Sequence, residues 1–190
     1  MKITVTLNKD GTAKECWCYS GVTTENQRYP VKQDYRHAAR IKSLAVKTSE
    51  RHDLRPPFKP DEPRYYGAVV FANPAVNAVS FEIEHEVHEG WATSKAQFLA
   101  WYPDPRDEVG EAVDSWSYEI LHHWRSVEIV FEGLDEFYKP NTVPEAAWTL
   151  PGKKEEAIES WTRNNATRQW SMTMQSVTPR TTITMKWQLA

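Results

Sequence analysis

Glycine is scarce in this chain, seven of 190 residues, and it never gathers into a motif. No Gly-x-Gly-x-x-Gly and no Gly-x-x-x-x-Gly-Lys occurs, so the phosphate-cradling turns of dinucleotide-binding and P-loop proteins are not written here. Gly-x-Ser-x-Gly is missing too, which removes the nucleophile elbow of the α/β-hydrolases. Cysteine is scarcer still, with only Cys16 and Cys18, and neither Cys-x-x-Cys nor His-Glu-x-x-His is present. The common zinc frameworks are thereby excluded. No apolar run approaches the roughly 18 residues of a membrane helix. Met1 to Leu7 alternates instead of forming a leader-like apolar block. These absences point to a cytoplasmic protein with reduced thiols, without a membrane span, resident metal or cofactor. Cys16 and Cys18 are expected on opposite faces of one strand as small apolar fillers, with a Cys-x-Cys metal clip as the lesser alternative.

Aromatic residues are abundant, by contrast: nine Trp, eight Tyr and six Phe. Such density predicts bulky core packing, and its functional alternative is a set of platforms for stacking bases or sugars. Charge is segregated along the chain. Residues 28–64 hold ten Lys or Arg against five acids, whereas residues 78–140 hold fourteen acids against four bases. Such asymmetry marks either a surface for a charged partner or two halves of one fold that neutralise each other.

The patterning predicts a single α+β domain over 1–190, an antiparallel sheet of three β-hairpins with helices on one face, in the order ββ-α-ββ-α-α-ββ. The first hairpin spans 2–20, turning at Asn8-Lys9-Asp10-Gly11, and Asp-Gly between alternating segments is a strong hairpin signal. The second spans 65–88 and the third 167–189, each read from period-two alternation. Helices are expected over 32–52, 94–101, 107–138 and 153–164, the short one at 94–101 being additional to that order. In the third of these, Val113, Trp116, Ile120, Trp124, Val127, Phe131, Leu134 and Tyr138 recur at three- and four-residue spacing, although Ser126 to Glu132 alone reads as a strand.

Two constellations carry chemistry. In Glu84-His85-Glu86-Val87-His88-Glu89 a strand sends His85 and His88 to opposite faces. What remains is the row Glu82, Glu84 and Glu86 with His88, its neighbours about 6–7 Å apart by strand rise. Such a row holds Mg²⁺ or Mn²⁺, or supplies an acid and a base, when a facing element adds ligands; that is the route to a metal-dependent hydrolase. In the plainer reading it is a solvated face that deters edge pairing. His85 reads as a core histidine, and of His122 and His123 one is expected to pack and the other to face water. The second constellation is basic. On a helix over 32–52, Lys32, Arg36, Arg40, Lys47 and Arg51 fall within about 100° of arc. Such a stripe suits a nucleotide, a nucleic acid or an acidic protein. A binding protein, of the kind that serves phages or mobile elements as an accessory, is the leading expectation, ahead of a hydrolase and a structural subunit of an assembly.

Overall fold

The computed structural model describes residues 1–22, 28–35, 39–72, 78–102 and 112–190. Strands dominate them. The fourteen are β1 (Lys2–Leu7), β2 (Ala13–Val22), β3 (Arg28–Asp34), β4 (Arg40–Lys47), β5 (His52–Arg55), β6 (Arg64–Phe71), β7 (Val79–His88), β8 (Val113–Glu119), β9 (Trp124–Glu132), β10 (Glu145–Thr149), β11 (Glu156–Ala157), β12 (Thr162–Asn164), β13 (Gln169–Val177) and β14 (Thr182–Gln188). One helix, α1 (Lys95–Trp101), and a 3₁₀ turn at Leu134–Glu136 complete the described elements.

The strands form three sheets. The largest has the order β12-β13-β9-β1-β2-β7-β4, the second β11-β10-β14-β8 and the third β3-β6-β5. The first hairpin is as the sequence predicts, β1 against β2 with Leu7 opposite Ala13. Its turn is closed by Gly11 N–H to Asn8 O at 3.0 Å and by the Asp10 carboxylate, which accepts from Thr12 N at 2.9 Å. On its other side β1 runs parallel to β9, so the sheet is mixed. Inward residues of all three sheets meet in one contiguous cluster. Seven of the nine tryptophans (Trp17, Trp91, Trp116, Trp124, Trp161, Trp170 and Trp187) are buried, which is the core role that the aromatic density predicted.

The α+β expectation is overturned: the protein is mostly β. Among the described residues only one of the four expected helices is present, that at 94–101, capped by Ser94, whose side chain accepts from Gln97 N–H. The expected helix over 32–52 is parts of β3, β4 and β5. That expectation rests on Asp34 near its start and on the good helix formers Ala38, Ala39, Leu44 and Ala45, a propensity that tertiary pairing overrides. A bulge between Ile41 and Ser43 inserts Lys42, so the inward residues of β4 are Ile41, Leu44 and Val46, and a bulged strand imitates the i, i+3 step of a helix. The stripe over 107–138 misleads differently. Trp116 and Ile120, like Val127 and Phe131, are four apart because each pair skips a member of a period-two row; the skipped Tyr118 and Ile129 are buried as well. Ile158 and Trp161, expected on a helix over 153–164, lie just beyond β11 and just before β12.

Two of the three hairpins are also corrected. β6 pairs with β3 and β5, whereas β7 pairs with β2 and β4. β13 joins the large sheet beside β9, and β14 joins the second sheet between β10 and β8. The strands are where alternation placed them, but alternation specifies the buried face of a strand and not its neighbour.

Candidate functional site

Strand β2 directs Ala13, Glu15, Trp17 and Tyr19 inward. Glu15 therefore enters the interior from a row of otherwise apolar positions and lies 1% exposed, opposite His85, which is 0% exposed. A bare carboxylate there would be prohibitively costly, and its surroundings supply donors. Oε1 accepts from the Tyr35 hydroxyl at 2.8 Å and from Trp116 Nε1 at 3.1 Å. Oε2 accepts from Trp17 Nε1 at 3.1 Å, with His85 Nε2 at 3.5 Å. The Tyr35 oxygen lies 2.7 Å from His85 Nε2. A phenol has one proton, and with that proton on Glu15 the phenol oxygen accepts from His85 Nε2–H. Burial works against the Glu15 charge, but the His85 contact and the bonds from Tyr35 and Trp17 outweigh it and hold the carboxyl below its usual range. Burial, with the Glu15 charge beside it, drives the Tyr35 phenol well above its own.

This cluster floors a cavity of about 490 Å³. Its walls come from two sheet edges, because β3 is an outer strand of the three-stranded sheet and β8 an outer strand of the four-stranded one. Gln33 and Tyr35 line it from the β3 side, Trp116 and Tyr118 from β8, and Trp91 from the segment before α1. Lys32 and Glu119 bridge the two edges at the mouth, Nζ to Oε2 at 2.9 Å, and the rings of Tyr29 and His122 meet further along at 4.4 Å. The wall rings brace one another, Trp17 edge-on to Tyr118 at 4.8 Å and Trp116 stacked on Tyr118 at 6.1 Å. Gln33 is 4% exposed, and its Nε2 has no hydrogen-bond partner among the described residues. Among the described residues, three acids, Glu15, Asp34 and Glu119, line the cavity against one base, Lys32.

The described residues expected to carry function lie elsewhere, with one exception. Glu82, Glu84, Glu86 and His88 share the outward face of β7, as the alternation predicted, with His85 on the other. Glu84 is held between Lys14 at 2.8 Å and Lys47 at 2.6 Å, whose hydrogen bonds keep its carboxyl low. Glu86 lies 2.9 Å from His88. Without a helix over 32–52 the basic stripe has no common face. Lys32 is at the cavity mouth; Arg40 opens β4 and donates to Ala39 O at 2.7 Å; Lys47 closes β4 against Glu84; Arg51 lies exposed between β4 and β5. Arg36 lies outside the described residues. The Lys32–Glu119 and Lys47–Glu84 pairs each join the basic segment to the acidic one, as mutual neutralisation requires. Of the two adjacent histidines, His122 packs on Tyr29 and His123 is exposed.

Glu15, Gln33 and Tyr35 are missed by motif reasoning. The available signal is a carboxylate at an inward position of an alternating strand, Ala13-Glu15-Trp17-Tyr19.

No protein-family model, no curated protein and no solved structure matches the chain. No helix among the described residues is long and apolar enough to cross a membrane.

Proposed function

We propose that this chain is a binding protein whose cavity holds a neutral, polyhydroxylated ligand of about one or two sugar rings. The observation that carries the reading is one aromatic-walled cavity lined by Gln33, whose buried Nε2 has no partner among the described residues, and by the acceptor-rich carboxylate of Glu15. Hydroxyl groups donate and accept, so one ligand type answers both. An ammonium ligand would satisfy the acids but offer Gln33 no acceptor. Among the described lining residues a phosphate or carboxylate ligand would meet three acids and one base, Lys32, already paired with Glu119. The acidic or phosphate-bearing partner expected from the sequence is therefore disfavoured at this cavity. The volume lies within the roughly 300–1,000 Å³ usual for small-ligand sites, and mixed aromatic and polar walls are typical of them. Indole and phenol faces stack on the C–H faces of sugar rings, and the Trp17–Tyr118–Trp116 array keeps such faces in place.

A hydrolase finds less support. Glu15 is surrounded by donors that keep it ionised, which suits anchoring more than proton donation, and Glu84 of the outward row is committed to two lysines.

Calorimetric titration with a panel of neutral mono- and disaccharides, nucleosides, a quaternary ammonium salt and inorganic phosphate tests the reading. A saccharide is expected to bind and to perturb tryptophan fluorescence. Gln33→Ala should weaken that binding about tenfold, the effect of one lost hydrogen bond of about 1.4 kcal/mol, with little change in the thermal midpoint, because the buried Nε2 it removes has no partner among the described residues. Binding of nucleosides alone, of phosphate alone, or of a saccharide with equal affinity by the Gln33 variant would overturn it.

A further inference from the structure

The face of β2 opposite Glu15 and Trp17 carries the two cysteines. Contrary to the expectation from sequence, they do not diverge. Residues two apart on a strand share a face, and the two thiols stand side by side with their Sγ atoms 3.7 Å apart. Glu82 is the cross-strand partner of Cys18 on β7, and its Oε1 lies 3.7 Å from Cys18 Sγ. The three ligand atoms fall within 4.8 Å of one another, and all three residues are half-buried.

Two thiolates about 2.3 Å from one tetrahedral zinc stand about 3.7–3.8 Å from each other. The spacing on β2 already has that value. We propose that Cys16, Cys18 and Glu82 form a binding site for one thiophilic divalent metal ion, Zn²⁺ by preference, with a fourth position left open to water or an external ligand. A softer thiolate pair with one carboxylate favours zinc over Mg²⁺ or Mn²⁺, so this is a different site from the carboxylate row. Glu84, next along that row, is taken by Lys14 and Lys47, which leaves Glu82 as the carboxylate turned to the thiols. The Lys47 charge also reaches Cys16 and partly offsets the negative charge that two thiolates and a carboxylate leave over beside a dication.

A disulfide is the poorer use of the pair. The Cα atoms of residues two apart on an extended strand are separated by about 6.6 Å by strand rise, at the upper limit of what a bridge spans. Metal binding requires no such closure and no oxidant: the ion replaces two thiol protons, which pass to the buffer, and takes the Glu82 carboxylate as it stands. Burial pushes both thiols up, Cys18 to about 12 with the added effect of Cys16 and Glu82, so the metal-free pair is protonated and chemically quiet near neutrality.

The test is a Co²⁺ titration of the full, reduced chain, followed by displacement with Zn²⁺. One ion per chain should bind with a thiolate-to-cobalt charge-transfer band and the intense visible bands of tetrahedral cobalt. About two protons should be released per ion, so that affinity rises about 100-fold per pH unit below the thiol range. Cys16→Ser and Cys18→Ser should each weaken binding at least 100-fold, Glu82→Gln about tenfold with the charge-transfer band retained, and Glu84→Gln not at all. Because a serine variant also changes packing, Zn²⁺ should slow alkylation of both thiols by iodoacetamide in the unmodified protein. No binding at millimolar metal, binding without the charge-transfer band, unchanged affinity in the double serine variant, or alkylation indifferent to Zn²⁺ would each overturn the proposal.

Discussion

Replacing Glu15 by alanine is expected to cost about 3–5 kcal/mol of folding stability, the range for removing one partner from a buried charged cluster. The loss comes from what is left behind. Trp17 Nε1, Trp116 Nε1 and the Tyr35 hydroxyl all donate to this carboxylate, and with the residue 1% exposed its removal leaves three inward-facing donors without their acceptor. Glu15→Gln keeps the shape but turns an NH₂ toward donors, so it should lose about half as much. Both are read by urea denaturation at neutral pH. The pH dependence supplies an independent check. The folded pKa of Glu15 is lowered, so its contribution is fully present above the unfolded value of about 4.3 and is lost as pH falls from there through the folded value. Other depressed carboxyls, Asp10, Asp61, Glu84 and Asp135, act equally in protein and variant. The stability gap between protein and Glu15→Gln should therefore narrow on acidification below that unfolded value. A gap independent of pH, or an alanine variant as stable as the parent, would show that the cluster is not an ionised carboxylate held by donors.

The position of Glu15 also shows how far the sequence is legible. Inward and outward faces were readable wherever a strand is regular. Ile3-Val5-Leu7, Val79-Phe81-Ile83-His85-Val87 and Ile183-Met185-Trp187-Leu189 are all buried rows, because a one-residue slip would expose every member. Element type failed where the period is broken, at the Lys42 bulge, or where every second member of an inward row was read as a helical stripe, as between Trp116 and Phe131. Pairing failed because the chain passes from sheet to sheet at Thr178–Thr181, and nothing local to a turn records which sheet the next strand joins. The cavity failed for the same reason. Glu15, Gln33 and Trp116 are far apart in the chain and meet only because the edges of β3 and β8 face each other across β2. Charge was partly legible: the basic and acidic segments do meet, through Lys32–Glu119 and Lys47–Glu84.

Gly133→Ala is expected to have an effect as large as the loss of Glu15, by a different route. Gly133 follows β9 and caps the 3₁₀ turn with φ 77°, a left-handed conformation that costs a residue with a Cβ about 1–2 kcal/mol. Steric overlap adds more than that. A Cβ here would lie 2.2 Å from the backbone oxygen of Leu7, at the end of the neighbouring parallel strand β1. A backbone carbonyl has no alternative rotamer, so relief requires β9 and β1 to separate. Their separation disturbs Leu134, fully buried just beyond, and Asp135, which accepts from Trp170 Nε1 at 3.0 Å. The expected loss is at least about 4 kcal/mol, a size reserved for strain or overpacking of this kind. Gly152→Ala is the matched control. That glycine is also left-handed, with φ 71°, and a Cβ on it would meet nothing within 4 Å, so it should lose only the conformational cost of about 1–2 kcal/mol. Denaturant unfolding of the two variants side by side separates backbone strain from steric overlap. Equal losses would mean that β1 and β9 are free to part at this end, and that the parallel pairing beside the hairpin carrying Glu15 is not what holds the large sheet together there.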